Sequence, residues 1–221
     1  RCSMLKLDRS ACAHALERSI LTWCSPTLAG VKPASTFSFM RYHCVGRMPD
    51  GRQLMAELRD DLLDAVLRDV NAATEPGGVR VEVFARRRGS TMIYVHRPEL
   101  FSEFMDVEPV ATLLEVEGYD VRDPRACLLH LRDRIASFDR CPRDAYGCDR
   151  YPHEIGFFLG YPLNDVLAFV HHRQRGVLLR GCWNVYGDVA HAQGVFNMYD
   201  ALTGMRMTRY ERGVPFAELV G

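Results

Sequence analysis

The chain has no excess charge of either sign: 28 lysines and arginines balance 28 aspartates and glutamates over 221 residues. Such a balance gives no electrostatic support to a surface built for nucleic acid or an anionic membrane. Nor does any apolar run approach the ~20 residues that cross a bilayer. The longest, EIGFFLGYPLNDVLAFV, is interrupted by Gly156, Gly160, Pro162, Asn164 and Asp165. The N-terminal residues lack the basic segment, apolar block and small-residue cleavage site of a secretion signal. Eight cysteines are too few to staple a chain of this length, so reduced thiols in the cytoplasm are expected. No internal repeat and no long linker divides the sequence, which reads as a single domain over 1–221.

What is present points to an α+β fold. Helical periodicity or end signals mark 8–23 (with Asp8 as N-cap), 51–74, 98–117 (broken near Pro109), 123–138 (Pro124 in its first turn), 162–173 and 189–203 (Asp188 as N-cap). Val79, Val81 and Val83 alternate with Arg80 and Glu82, which predicts a β-hairpin over about 79–97. Shorter strands are expected at 37–42 and about 177–186. The stretches 24–36 and 139–152 read as loops. Few strands, irregularly spaced among helices, favour a small, mostly antiparallel sheet packed with several helices. The run Arg86, Arg87 and Arg88 reads as a solvated hairpin end.

Four segments carry polar groups suited to chemistry. In YPHEIGFFLGYP, His153 and Glu154 resemble the opening of a zinc-peptidase helix. That motif needs a second histidine four residues on, and Phe157 stands there. Two readings remain: His153 as an acid/base group oriented by Glu154, or Glu154 favouring a helix start while His153 bonds a neighbouring loop. CSPTLAGVKPAS offers Cys24 and Lys32, the first a small buried hydrophobe or, if a nearby cation activates it, a nucleophile, the second an anion contact or a solvated lysine. Arg97, at a strand end before Pro98, can clamp a carboxylate or phosphate bidentately, or pair with Glu99. Cys141, Cys148 and His153 lack the tight spacing of structural zinc, so no metal site is expected.

Taken together, CSPTLAGVKPAS, IYVHRPELF, YPHEIGFFLGYPLNDVLAFV and GCWNVYGDVAHAQGVFNMY resemble a bacterial family, the domain of unknown function 3793 family, over roughly residues 22–203. Cys24, Lys32, Arg97, His153, Glu154, Tyr161, Asp165, Trp183 and Tyr186 fall at matching positions. The chain departs from the pattern at His96, where tyrosine is usual, and at Cys182 and Asn184, where tyrosine and lysine are usual. The resemblance implies no assigned activity, and it implies a polar pocket rather than a purely architectural set of residues. Some relatives are fused to, or encoded beside, flavodoxin-like proteins.

The expectation is therefore a cytoplasmic protein with a pocket for a small anionic molecule. Lys32 and Arg97 would hold the anion. His153, Glu154 and Cys24 would supply acid/base or thiol chemistry, and Tyr161, Trp183 and Tyr186 would wall the pocket. The alternative is a non-catalytic protein that binds a metal or tetrapyrrole through Cys24 and His153, or an interaction module serving a flavodoxin-like redox partner. No cofactor is specified by the residues.

Overall fold

A computed structural model describes residues 5–49, 51–105, 108–140, 151–172 and 175–221. Its centre is a three-stranded antiparallel sheet in the order β2–β6–β5, formed by β2 (Ala34–Met40), β5 (Arg80–Arg86) and β6 (Ser90–His96). Every residue from Thr91 to His96 is buried. Successive side chains on a strand face opposite ways, so a strand buried throughout must be covered on both sides. Ile93 and Val95 enter one core with α1 (Arg9–Leu28) and α2 (Asp60–Thr74). Met92 and Tyr94 enter a second core with α4 (Glu108–Val116), α5 (Pro124–Arg140), α6 (Ile155–Phe158) and α7 (Leu163–His172). α3 (Pro98–Met105) joins that side through Phe101.

A second sheet, β1–β4–β3, combines β1 (Leu5–Lys6), β3 (Tyr42–Arg47) and β4 (Gln53–Glu57). A two-stranded hairpin, β7 (Leu179–Arg180) with β8 (Asn184–Val185), lies against the long C-terminal helix α8 (Val189–Glu211), where Trp183, Val185, Phe196 and Tyr199 form a third core. The result is the α+β architecture read from the sequence, with small and mostly antiparallel sheets.

Several boundaries differ from expectation, each for a physical reason. The helix expected over 8–23 runs on to Leu28, through Pro26. The hydroxyls of the stretch read as a loop over 24–36 are consumed locally: Ser25 Oγ donates to Leu21 O at 2.6 Å, and Thr27 Oγ1 meets Ser35 Oγ at 2.8 Å. The helix expected over 51–74 begins at Asp60. Residues 53–57 pair with β3 instead, a tertiary contact that outweighs their helical spacing. Asp60 and Asp61 then favour the positive helix start.

The strand expected over 177–186 is a hairpin that turns through Gly181, Cys182 and Trp183. Asp8 and Asp188 cap α1 and α8 as read, accepting from the N–H groups of Ala11 and His191. α8 outruns its expected end at 203 by two turns. Residues 141–150, most of the loop expected at 139–152 and both of its cysteines, lie outside the described residues.

Candidate functional site

The segment PHEIGFFLGYP packs as a single helical turn, α6, beneath the central sheet. Tyr94, from the middle strand, donates its hydroxyl to Phe158 O at 2.9 Å. Gly160 leaves the turn with φ +70°, and a Cβ there would lie 2.5 Å from Pro33. A side chain is excluded both by the backbone conformation and by the close approach of the Lys32–Pro33 segment. Two motifs distant in sequence thus touch at this glycine.

α7 adds Asp165, which is buried. One carboxylate oxygen accepts from Trp183 Nε1 at 2.8 Å and the other from the Tyr186 N–H at 2.9 Å. Both oxygens of a buried carboxylate are therefore satisfied, and the β7–β8 hairpin is fixed over α7. On its other side the hairpin lies flat on α8. A Cβ at Gly181 would stand 2.2 Å from the Phe196 ring, and Trp183 meets that ring edge-on with centroids 4.6 Å apart.

Between α6, α7 and the hairpin lies a cleft of about 430 Å³. Tyr151, His153, Tyr161, Phe169, Cys182 and Trp183 line it. His153 stands edge-on to Phe169, with ring centroids 5.1 Å apart. Tyr161 and Trp183 face one another at 5.5 Å. Cys182 is exposed; the partial enclosure of its sulfur raises the thiol above its ordinary range, with Lys32 opposing and Asp200 reinforcing the rise.

Behind Tyr161 sits Lys32, one ring away from the cleft and not itself part of its lining. The chain has 26 arginines and two lysines, and this lysine is 7% exposed. Its Nζ lies 4.9 Å from the Tyr161 ring centroid and 6.0 Å from that of Tyr199. Among the described residues no carboxylate forms an ion pair with it. Burial lowers the ammonium to about 8, with Cys24 and Cys182 pulling it back up. A compact ammonium fits between two phenol rings where the wide fork of an arginine would need a planar partner.

The other expected site residues lie elsewhere. Cys24 does not line the cleft. It is fully buried in the first core, and burial pushes its thiol far up, Lys32 only partly opposing. As a nucleophile it is therefore corrected: no solvent reaches it and its thiolate is strongly disfavoured. Arg97, expected to clamp an anion, spends its guanidinium on backbone carbonyls: Nε donates to Thr27 O at 2.7 Å, Nη1 to Gly77 O at 2.8 Å, and Nη2 to Leu28 O. It closes the C-terminal end of α1.

Glu154, expected to orient His153, accepts at Oε1 from Tyr119 Oη at 2.7 Å and from Arg134 Nη1 at 2.6 Å. Tyr186 is held by its backbone and does not line the cleft. Cys24 and His153, posited together as metal or tetrapyrrole ligands, share no cleft, and among the described residues no group of three His, Cys, Asp or Glu side chains is placed to hold a metal ion.

Two residues, Asp165 at a family-matching position and Cys182 at a departing one, were given no role in the site by the sequence reading. Asp165 carried a signal, being an acid amid apolar residues on a helix that follows a proline. Cys182 carried none beyond that departure, since only the hairpin turn sets it where it acts on Lys32.

None of the curated proteins and none of the solved structures compared with the chain matches it. Residues 20–220 match a family model described as "Protein of unknown function (DUF3793)". That span takes in the Lys32 loop, α6, α7 and the Trp183 hairpin, so the residues that build the cleft are family territory, and the chain belongs to the DUF3793 family.

Proposed function

We propose that the protein binds a small anionic molecule in the cleft between α6, α7 and the β7–β8 hairpin, drawn there by Lys32, which stands behind the Tyr161 wall and would be reached past that ring. The observation that carries this reading is the Lys32 ammonium itself, buried without an anionic partner among the described residues. A buried charge left uncompensated costs stability, and a bound carboxylate or phosphate would offset that cost. Tyr151, Phe169 and Trp183 offer ring surface to an apolar body.

Both thiols beside Lys32 are held protonated by burial. This supports binding over thiol catalysis. His153, on the same cleft wall, keeps proton transfer to or from a bound molecule within the proposal. The setting proposed is the bacterial cytoplasm, whose reducing conditions preserve an exposed thiol such as Cys182.

Nuclear magnetic resonance on the lysine-labelled full chain tests the proposal, because two lysines give two side-chain signals. The Lys32 signal is expected to titrate near pH 8. Phosphate, acetate or malonate should shift that midpoint upward and saturably. If the signal ignores all three up to about 50 mM, where even millimolar affinity saturates, the reading fails.

A further inference from the structure

A second cleft, of about 340 Å³, opens where the edge strand β5 meets α3 and α5. Three guanidinium groups line it: Arg80, Arg125 and Arg132. None of them has an ion-pair partner among the described residues.

Two carboxylates also line the cleft, and both are committed. Asp123 Oδ1 accepts from the N–H groups of Arg125 at 2.9 Å and Ala126 at 3.0 Å, at the start of α5. Glu82 Oε1 lies 3.2 Å from His96 Nε2. Three cations against two carboxylates leave one positive charge in excess.

His96 sharpens the case. It is 3% exposed and lines this cleft, and among the described residues its buried Nδ1 has no hydrogen-bond partner. A buried ring nitrogen left unpaired costs stability, so the His96 ring is a polar group of this wall whose bonding is incomplete. Pro98, Phe101 and Leu128 supply an apolar wall.

We propose that this cleft is a second binding site, separate from that of Lys32, for a small molecule carrying a carboxylate or phosphate group on a flat apolar body. Arg125 and Arg132 would take the anionic group in forked hydrogen bonds, Arg80 would add charge at the rim, and the His96 ring would lie against the bound molecule. Arg125 and Arg132 already act together on one point, since both help to hold the Glu82 carboxyl below its ordinary range, after the larger effect of His96.

The test uses benzoate and phenyl phosphate as probes on the full chain, following the His96 ring and the arginine Nε–H signals by nuclear magnetic resonance. Saturable shifts are expected at His96, Arg125 and Arg132. The double variant Arg125→Gln with Arg132→Gln should weaken binding by about tenfold or more, while Lys32→Met leaves it unchanged. Arg125 is exposed and Arg132 half-buried at the cleft, outside the hydrophobic cores, so the double variant should fold with the parent melting temperature. The proposal is overturned if neither probe moves His96, if the double variant binds as tightly as the parent, or if Lys32→Met abolishes the binding.

Discussion

Lys32 Nζ stands 4.9 Å from the Tyr161 ring centroid, and the neighbours of these two residues, Pro33 and Gly160, are themselves in close contact. The lysine loop and the turn after α6 are thus fitted backbone to ring and cation to ring. A chain that uses arginine almost everywhere keeps a lysine here, where burial works against the charge. That cost is the strongest pointer to a ligand.

The cost has a sign that can be measured. Lys32 falls from 10.5 to about 8, so the folded state binds its proton less tightly than the unfolded chain does. The resulting destabilisation is fully present below pH 8 and fades as the pH rises from about 8 toward 10.5. Replacing Lys32 with Met should stabilise the ligand-free protein at pH 7 by up to about 3 kcal/mol, less whatever cation–π energy is lost. Urea denaturation at pH 7 and pH 9.5 should show the gain shrinking at the higher pH. A variant that is less stable than the parent at pH 7 would mean that Lys32 serves the fold.

Arg97 should behave in the opposite way. Its three bonds to the carbonyls of Thr27, Leu28 and Gly77 tie α1 to the turn after α2. Arg97→Lys keeps the charge and loses the fork, leaving at least one carbonyl without its partner. A loss of about 2–4 kcal/mol is expected, read as a lower urea midpoint with an unchanged slope. Unchanged stability with lost anion binding would restore the anion-clamp reading of this residue.

These two residues show what the sequence disclosed and what it hid. Residue type and motif context marked both as special. Spacing could not tell which would meet a ligand and which a row of carbonyls, because that depends on chain segments far apart. Asp8, Asp188, Pro124 and the alternating valines of β5 act on their immediate neighbours, and those elements were legible. Residues 53–57 and the 177–186 hairpin depend on pairing and on the Phe196 face, so local pattern misled there. Cys182 stood out only as a departure from the family pattern, and its placement was hidden for the same reason: the turn at Gly181 sets it where it acts on Lys32.

Asp165→Asn should loosen the hairpin without unfolding the protein. An amide offers one acceptor and one donor where Trp183 Nε1 and the Tyr186 N–H both need acceptors. One buried N–H would face another, at a cost of about 1–3 kcal/mol. Trp23 is 63% exposed, so Trp23→Phe is nearly neutral and leaves Trp183 as the single indole. In that background the emission of Trp183 should move to longer wavelength in Asp165→Asn. Unshifted emission would mean that the hairpin is held without Asp165.

Thiol accessibility separates the two cysteines that act on Lys32. Cys24 is fully buried and its thiol is pushed far up, so iodoacetamide should leave it unmodified in the folded chain. Cys182 is exposed with a thiol raised above its ordinary range, so it should react slowly at pH 7 and faster as the pH climbs. Peptide mapping by mass spectrometry after timed alkylation reads both sites in one experiment. A carboxamidomethyl group on Cys182 would occupy the cleft beside Tyr161 and Trp183. The modified protein should therefore lose the response of Lys32 to phosphate or acetate, and the variant Cys182→Ser should keep it. Prompt alkylation of Cys24 at neutral pH would instead put an activated thiol back at the centre of the function.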